Sequence, residues 1–511
     1  MFNPTLGLPA GIIITEDKPR TFEDILAEAN NLVADDVAGI ERLCDEAATL
    51  SPIKKDAVLS RINLVTSISL ATLKKQADGH GTNNEPDHLD LARKVVASIG
   101  PENIIQAGQF TWKFATNGVW KRCDDREVKQ GVQATLENER LAVTSSRVNG
   151  VTEILKNEIF KVDHEFNRGN PESVNCLNGE LELVGEHWLL RSHRRELYRT
   201  TQIPIAFDPH ATAPLFWQFL NDIFRDDPDR NEKMTVVLEM MGYSLMGHAN
   251  REKFMLLIGS GANGKSVILA TLEGLLGKEN VAGVQPANFD NRFQRGHLDQ
   301  KLANIVTELK QGETIADAEL KAITSGEPAT VEHKNKDPFV MRPFATCWFG
   351  TNHMPHTRDY SDAFFRRAIV LPFNRVFAPH EQDPGLKEKL ARELPGILNY
   401  VLWAYVQVVK RGGFTIPASS LAAQRKWQIE ANQVAQFVED RCDVRADGKA
   451  TIELLYSIYQ GWAQSVGVRQ TLGQRHFCDR LEQLGYMRAK GTAGVRIISG
   501  LTLKGMPAGL Q

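Results

Sequence analysis

A short apolar stretch that runs directly into a glycine-rich loop constrains this chain more than any other feature. Residues 254–258 read Phe-Met-Leu-Leu-Ile, which is typical of a buried β-strand. Residues 259–266 follow with the sequence GSGANGKS, and they satisfy the phosphate-binding pattern G-x-x-x-x-G-K-[ST]. Residues 267–276 then predict a helix whose positive N-terminal end faces the same loop. A strand, a turn and a helix in this order predict a P-loop that binds a nucleoside triphosphate.

Each type of residue in this loop has a chemical reason to be there. Glycine lets the backbone turn tightly and brings N–H groups close to phosphate oxygens. Lys265 is expected to place a positive charge on the β- and γ-phosphates, and the Ser266 hydroxyl is expected to complete the coordination of Mg²⁺. The sequence therefore predicts a site for ATP and Mg²⁺ formed by Gly259, Ser260, Gly261, Ala262, Asn263, Gly264, Lys265 and Ser266.

Two later strands end in polar residues that are expected to complete this site. Residues 302–306 predict a strand beside the P-loop, and Glu308 after it is expected to polarise water or to hold Mg²⁺ through water. Only one acid stands at this position, so Glu313 is a second candidate for the role. Residues 344–349 predict another strand, and Asn352 after it is expected to contact the γ-phosphate and the attacking water as a sensor. An asparagine after a strand is also ordinary turn chemistry.

Two adjacent arginines, Arg366 and Arg367, stand just before a further apolar run at 368–373. An arginine that reaches the γ-phosphate held by a neighbouring subunit stabilises the charge of the transition state. The sequence predicts that one of the pair has this role. The other can make a structural ion pair, and the sequence does not choose between them.

A basic turn lies between the predicted acid and the predicted sensor. Residues 331–337 predict a basic turn, and two short strands on either side of it would form a hairpin that presents Lys334 and Lys336 to solvent. In a ring of subunits, such hairpins converge on the pore and contact the phosphates of a threaded strand. Taken alone, a turn that carries lysines is more often simply solvated.

The remaining pattern divides the chain into regions of different character. Thr21 predicts the start of a helical section, residues 77–89 predict a linker or loop, and Asn178-Gly179 predicts a hairpin turn. Strands and helices alternate from 254 to 375, as in an α/β domain with a largely parallel sheet. The predicted regions are a helical one at 1–100, a mixed α+β domain at 101–212, an α/β ATPase domain with a helical lead-in at 213–380, a helical segment at 381–435 and a small module at 436–511.

Charge and composition exclude several classes of protein. The net charge of −3 gives no general basic signal, so any nucleic-acid contact must come from local patches. No apolar run approaches the ~20 residues that span a bilayer, and the first 20 residues lack a signal-peptide pattern. The six cysteines include no C-x-x-C pair, which indicates buried, reduced thiols. These features predict a cytoplasmic protein without a membrane partner.

The last 46 residues form a basic module: they hold seven Lys or Arg against two acids, a local net charge of +5. Residues 471–484 predict a helix, and residues 486–498 predict a hairpin with its turn at 491–494. A helix followed by a hairpin wing suggests a winged helix that contacts DNA. Winged helices often serve as protein-contact modules instead. The residues expected to face DNA are Arg475, Arg480, Lys490 and Arg496.

Taken together, these motifs resemble those of the phage- and plasmid-type superfamily 3 helicases, which are relatives of the poxvirus primase-helicase. The resemblance covers roughly residues 100 to 440 and rests on several separate motifs in the same order. These motifs lie at 178–181, 238–245, 256–266, 320–328, 351–355 and 364–373.

The resemblance implies an AAA+-like ATPase that forms a ring, expected to be a homohexamer, moves along single-stranded DNA and opens forked duplexes. It also implies that Lys334 and Lys336 belong to the DNA-contacting hairpin. Many relatives carry a primase domain ahead of the helicase, but residues 1–100 contain no Asp-x-Asp strand and no zinc-binding set. A separate primase or polymerase is therefore an expected partner in the cell or the phage-infected host.

Two other functions remain open at this stage. One is an origin- or partner-binding initiator that uses ATP mainly to assemble a ring, with little unwinding. The other is a small-molecule P-loop kinase, for which the basic hairpin and the basic C-terminal module have no purpose.

Overall fold

The computed structural model describes residues 20–80, 86–334, 336–466, 471–491 and 494–505. These residues form two compact units, of which unit 1 takes residues up to 98 together with 128–158, and unit 2 takes 99–127 and everything from 159 onward. The helices at 128–158 therefore join the N-terminal helices rather than the mixed region in which the sequence placed them.

Unit 1 consists mainly of helices. They are α1 (Phe22–Asn30), α2 (Val37–Ala48), α3 (Pro52–Thr66), α4 (Leu70–His80), α5 (His88–Ile99), α6 (Asp125–Asn138) and α7 (Ser145–Glu158). The predicted helix start at Thr21 is confirmed, because its hydroxyl accepts the Asp24 N–H at 3.3 Å while the Asp24 carboxylate accepts the Thr21 N–H at 2.8 Å. This reciprocal cap satisfies two of the N–H groups that a helix start leaves unpaired.

Helices α1 to α4 pack around a common apolar core. Leu43, Leu59 and Ile62 are fully buried in it, which confirms the helical prediction for this part of the chain. The predicted linker at 77–89 is shorter in the structure because Ala77 is also buried in this core, so that α4 continues to His80. Residues 81–85 of that linker lie outside the described residues.

Unit 2 begins with two small antiparallel sheets. The first contains β1 (Ile104–Ala107), β2 (Phe110–Ala115) and β3 (Val119–Cys123), and the second contains β4 (Ser173–Cys176), β5 (Gly179–Val184) and β6 (His187–Arg191). The predicted hairpin at Asn178-Gly179 is confirmed, although Gly179 already pairs with Cys176 as the first residue of β5. A side chain at 179 would come within 2.4 Å of the Arg191 carbonyl oxygen, so the strand pairing requires glycine here.

Two helices lead into residues 254–375, where strands and helices alternate as predicted, and two further helices follow. The elements are α8 (Pro214–Ile223), α9 (Arg230–Tyr243), β7 (Phe254–Ile258), α10 (Lys265–Leu276), β8 (Val281–Ala282), α11 (Arg292–Arg295), β9 (Ala303–Val306), α12 (Asp317–Thr324), β10 (Ala329–Val331), β11 (Phe339–Met341), β12 (Thr346–Thr351), α13 (Asp362–Phe365), β13 (Ala368–Pro372), α14 (Leu386–Ala391) and α15 (Leu394–Arg411). Five of the strands form one sheet in the order β13, β7, β12, β9, β8, and every neighbouring pair is parallel. The expected mixed α/β fold with a parallel sheet is therefore confirmed.

The sheet is buried on both faces, which explains why its strands are almost wholly apolar. Side chains alternate along β7: Met255 and Leu257 pack into one core, and Phe254 and Leu256 pack into another. Each of these four residues is 0 % exposed.

One expectation about this sheet is wrong. The strand that precedes Glu308, β9, does not lie beside the P-loop strand β7, because β12 is inserted between them. Parallel strands need crossover connections, so neighbours along the chain need not be neighbours in the sheet. The strand that precedes Asn352 is thus the one that touches both others.

The predicted basic hairpin is confirmed. Strands β10 and β11 are antiparallel, with Ala329 opposite Met341, and Lys334 and Lys336 are exposed in the connection between them. Residue 335 lies outside the described residues.

The C-terminal part of unit 2 contains the predicted helix and hairpin within a larger arrangement. Its elements are α16 (Ala418–Ala431), α17 (Gln433–Arg441), β14 (Cys442–Thr451), α18 (Ile452–Ser465), α19 (Gln474–Gln483), β15 (Met487–Lys490) and β16 (Arg496–Leu503). The strands form an antiparallel sheet in the order β14, β16, β15. The predicted turn at 491–494 falls partly outside the described residues, since 492 and 493 are not described.

Among the described residues, no helix is both long enough and apolar enough to cross a membrane. All six cysteines are free thiols, and all but the half-buried Cys123 are buried, as the spacing predicted. Burial raises the pKa of the Cys176 thiol to about 12, so this thiol is held in its unreactive, protonated form.

Candidate nucleotide site

The loop between β7 and α10 is held in a conformation that requires glycine at two positions. Gly264 has φ +93°, and a side chain there would come within 2.7 Å of Ile223. A side chain at Gly259 would come within 2.4 Å of the Phe373 carbonyl oxygen. Gly261 has open space around it, so nothing in the structure demands glycine there. Ala262 is also left-handed, with φ +56°, a strained value of the kind that clusters at ligand-binding loops.

Lys265 is the first residue of α10, and its side chain turns back over the loop. Its ammonium group donates hydrogen bonds to the carbonyl oxygens of Gly259 and Ser260, to the Asn263 Oδ1 at 3.2 Å and to the Asn352 Oδ1 at 3.3 Å. Burial lowers the pKa of Lys265, and the Glu308 carboxylate opposes that shift. The charge of Lys265 thus lies where the helix N-terminus and the loop N–H groups already favour an anion.

Asn352 links the other two predicted residues. It follows β12, and its Nδ2 donates to the Glu308 Oε1 at 3.2 Å while its Oδ1 accepts from Lys265. The strand order explains this contact, because the carboxyl ends of β7, β12 and β9 lie side by side and each is followed by one of the three residues. Lys265, Asn352 and Glu308 therefore form a continuous polar chain across the sheet edge.

These residues line a cavity of about 540 Å³. The loop residues, Thr307, Glu308 and Asn352 supply polar groups to its lining, and Leu215, Phe219, Phe377 and Leu386 supply apolar side chains. The lining also contains Gln218, Asp222, Glu381, Gln382 and Asp383. Polar groups beside a helix N-terminus together with apolar side chains suit the phosphates and the base of a nucleotide.

The apolar side chains that line the cavity were not predicted from the sequence. Phe377 reaches the loop because its N–H donates to the Ala262 carbonyl oxygen at 2.8 Å, and Leu386 comes from the start of α14. Neither residue belongs to a recognisable pattern, since an apolar residue after a strand is usually core. Only their position over the loop reveals them.

The side chains that line the cavity suit a divalent cation that phosphates also help to hold. Ser266 is exposed at the second position of α10, and its hydroxyl and the Glu308 carboxylate line the same cavity. The described residues contain no cluster of three or more carboxylate, histidine or cysteine ligands. This set suits Mg²⁺ held jointly with phosphates, because Mg²⁺ usually takes few protein ligands and keeps several waters. Glu313 does not line the cavity and pairs instead with Lys310 at 3.5 Å.

The two arginines have different surroundings. Arg367 is only 8 % exposed, and its guanidinium pairs with Glu252 at 2.8 Å and donates to the Ser325 hydroxyl at 2.9 Å. The Arg366 side chain is 66 % exposed and lies 3.8 Å from Glu252. Neither arginine lines the cavity that holds Lys265. Arg367 is thus a structural residue, and Arg366 is the one that projects into solvent.

The predicted DNA-contacting residues are exposed, with one exception. Lys334 and Lys336 are solvent-exposed in the hairpin turn, and Arg475 is exposed on α19. Lys490 and Arg496 are directly opposite each other on β15 and β16, so they lie on one face of the sheet. Arg480 is the exception, because it is half-buried on α19.

Two arginines of the C-terminal module, Arg480 and Arg488, are held by contacts with other side chains of the chain. The Arg480 guanidinium lies 4.2 Å from the centre of the Tyr360 ring, which engages its face in a cation–π contact. Arg488 pairs with Asp479 and with Glu482, the latter at 3.1 Å. The local charge of +5 already counts these two acids, and Arg480 and Arg488 are cations of the module that contacts within unit 2 engage.

Comparison with known proteins relates three parts of the chain to described families. Residues 92–225 match "D5 N terminal like", residues 257–367 match "Family of unknown function (DUF5906)" and residues 429–490 match "Poxvirus D5 protein-like". The chain is related to the primase-helicases. The family that the sequence motifs suggested is thereby confirmed.

Individual relatives of this family are similar at low identity. The chain is 22 % identical over 360 residues to "Putative helicase 121R" of Invertebrate iridescent virus 3, which covers 61 % of this chain and 37 % of the relative. It is 24 % identical over 340 residues to "Putative helicase 184R" of Invertebrate iridescent virus 6, which covers 57 % of this chain and 34 % of the relative. The chain thus spans about a third of the length of the curated relatives that it matches.

A solved structure titled "The A form apo structure of NrS-1 C terminal region-CTR" is also similar to this chain. The TM-score is 0.48 at 13 % identity, and the match covers 82 % of this chain and all of that one.

Removing the Lys265 charge is expected to weaken nucleotide binding without unfolding the protein. A charge-assisted hydrogen bond contributes about 1.5–3 kcal/mol, so Lys265→Ala should raise the Kd for a fluorescent ATP analogue by about 10- to 100-fold. Fluorescence anisotropy measures this change directly. Lys278→Ala, which removes an exposed lysine just beyond the other end of α10, is the matched control. Equal affinities for both variants would contradict the site.

Proposed function

We propose that this chain is an ATP-driven motor of DNA replication that works as a ring of identical subunits, moves along single-stranded DNA and separates forked duplexes. One observation carries the proposal: the polar chain from Lys265 through Asn352 to Glu308 lies in a nucleotide-sized cavity, and the only exposed arginine of the 366–367 pair lies outside that cavity. The helicase names of the viral relatives and the D5-like family matches support the same class of function.

In this proposal the loop 259–266 is a P-loop, and ATP is the substrate. Lys265 neutralises charge on the β- and γ-phosphates, and Glu308 accepts a proton from the attacking water. Asn352 contacts both groups, so it reports on the γ-phosphate and orients Glu308 at the same time. Mg²⁺ bound through Ser266 and phosphate oxygens supplies further charge neutralisation.

The proposed ring follows from the position of Arg366. Arg366 is held next to Glu252 and stays exposed, away from the cavity of its own subunit. An arginine placed in this way completes a nucleotide site only if a second subunit brings its own cavity to it. A homohexamer is the ring size that the family resemblance implies.

DNA is proposed to contact two basic elements of unit 2. The hairpin turn offers Lys334 and Lys336 to a strand in the pore, where they bind phosphates without reading sequence. The order α17–β14–α18–α19–β15–β16, with its antiparallel sheet, supports a winged-helix module at the C-terminus. Of the module's residues that the sequence predicted to face DNA, Arg475, Lys490 and Arg496 are exposed, and Arg480 is less suited to DNA because it contacts Tyr360.

The alternative function is an initiator that uses ATP to assemble on an origin or a partner, with little unwinding. The exposed Lys490–Arg496 pair is the observation in its favour, since it serves a docking module as well as a motor. A separate primase or polymerase is a proposed partner in either case.

Strand displacement separates the motor from the initiator. The wild-type protein is expected to displace the labelled strand of a forked duplex in the presence of ATP and Mg²⁺, and DNA is expected to stimulate hydrolysis. Glu308→Gln should slow hydrolysis by about 10²- to 10⁴-fold because it removes the proton acceptor. Glu313→Gln is the matched control and should keep wild-type rates. Hydrolysis that DNA does not stimulate, without any displacement, would favour the initiator.

Mixing two inactive variants tests whether Arg366 acts on a neighbouring subunit. Lys265→Ala subunits lack a working site but keep their arginine, and Arg366→Ala subunits keep the site but lack the arginine. Mixed rings should therefore recover part of the ATPase rate, which is measured against mixing ratio. A flat rate at every ratio would contradict the shared site.

Arg367→Ala is expected to lower the Tm, because it leaves Glu252 without its 2.8 Å partner.

A further inference from the structure

Unit 2 contains a second cleft, which is larger than the nucleotide cavity and shares no lining residue with it. Its volume is about 1060 Å³. Its walls come from residues 107–112 at the turn between β1 and β2, from the loop 160–169, from residues 247–250 and from residues 339–344, which begin with β11 of the basic hairpin. We call it the hairpin cleft.

Aromatic rings form much of the wall of the hairpin cleft. Phe110 on β2 packs edge-on against Phe339 on β11, with ring centres 5.4 Å apart, so the cleft is built directly onto the hairpin. Trp112 lies beside Phe166, with ring centres 4.3 Å apart. Phe160 also lines the cleft and is 49 % exposed, so its ring offers apolar surface to a ligand.

Cations stand among these rings. Arg122 covers the Phe110 ring at 3.7 Å and pairs with Asp299, whereas Lys161 and Arg342 are exposed. Basic side chains therefore outnumber acidic ones in the lining. The basic ones are Arg122, Lys161, Arg168 and Arg342, and the acidic ones are Asp163, Glu165 and Asp299.

Three side-chain nitrogens in this wall are buried without a hydrogen-bond partner. They are the Trp112 Nε1, the Arg122 Nε and the His164 Nε2. Buried polar groups are normally paired, so three unpaired ones in a single wall mark a place where a ligand can supply partners, including acceptors for the Trp112 and Arg122 nitrogens. Base carbonyl groups and phosphate oxygens are acceptors of this kind.

Hydrogen bonds to neighbouring residues fix the conformation of the loop 160–169. Asp163 and Asn167 adopt left-handed backbone angles, with φ of +47° and +53°. Asn167 is fixed there because its N–H donates to the Tyr198 carbonyl oxygen at 3.1 Å and its side chain bonds with Thr200. A strained segment that its neighbours hold in place is a feature of functional sites.

We propose that the hairpin cleft binds unpaired bases of single-stranded DNA and leads the strand to or from Lys334 and Lys336. This inference rests on the proposed function. An exposed ring such as Phe160 beside exposed cations such as Lys161 and Arg342 suits single strands, because bases in a duplex are already stacked on one another. The direct packing of Phe110 on Phe339 joins this surface to the hairpin, so one strand can contact both.

The test measures binding of a labelled thymidine oligonucleotide by anisotropy, with full-length protein and a non-hydrolysable ATP analogue. Phe160→Ala and the pair Lys161→Ala with Arg342→Ala should each weaken binding about five- to tenfold, because each removes a stacking or phosphate contact. Trp403→Ala and Lys387→Ala remove an exposed ring and an exposed lysine that do not line the cleft, and they should bind as wild type. Unchanged Tm values show that the variants are folded.

The same oligonucleotide carrying 5-iododeoxyuridine provides a second readout. Ultraviolet cross-linking followed by peptide mapping should label the loop 160–169 or residues 339–344. Labels confined to other segments would overturn the proposal.

The outcomes distinguish this proposal from the function on which it rests. Full affinity in the cleft variants, with binding lost only in Lys334→Ala and Lys336→Ala, overturns the cleft and leaves the motor intact. Failure of the wild-type protein to bind any single strand overturns both. A cleft variant that changes only the oligomeric state assigns this surface to a contact between subunits, which also overturns the proposal.

Discussion

The side-by-side packing of β7, β12 and β9 is the constraint on which the candidate site depends. Because the three strands are parallel and adjacent, their carboxyl ends lie along one edge of the sheet. Asn352 stands in the middle and is bonded to Lys265 on one side and to Glu308 on the other. The group proposed to bind phosphate and the group proposed to activate water are thereby held in fixed relation by a sheet that is apolar on both faces.

A second constraint separates the roles of two adjacent arginines. Glu252 stands before β7 in a left-handed conformation with φ +51°, and it receives Arg367 closely and Arg366 only loosely. The helix α13 just before them is fixed because Phe364 and Phe365 pack against Trp427 of α16. The exposed arginine is thus carried on a rigid base, which suits its proposed contact with a second subunit.

Much of this could be predicted from the sequence, because local chemistry determines it. The loop 259–266, the strands before Glu308 and Asn352 and the basic hairpin each have a pattern in a short stretch of chain. The choice between Arg366 and Arg367 could not be predicted, since it depends on Glu252, which is distant in sequence. Three further features likewise arise only from tertiary packing. They are the position of β12 between β7 and β9, the apolar side chains that Phe377 and Leu386 add to the cavity, and the contact of Arg480 with Tyr360.

In the proposed ring, one subunit's nucleotide site is completed by its neighbour. The most direct test of this is a particle reconstruction of the protein bound to a non-hydrolysable ATP analogue and forked DNA. We expect a closed ring in which the analogue contacts Lys265 of one subunit and Arg366 of the next, with the single strand beside Lys334 and Lys336. Particles that hold the analogue at Lys265 while Arg366 faces only solvent would contradict it.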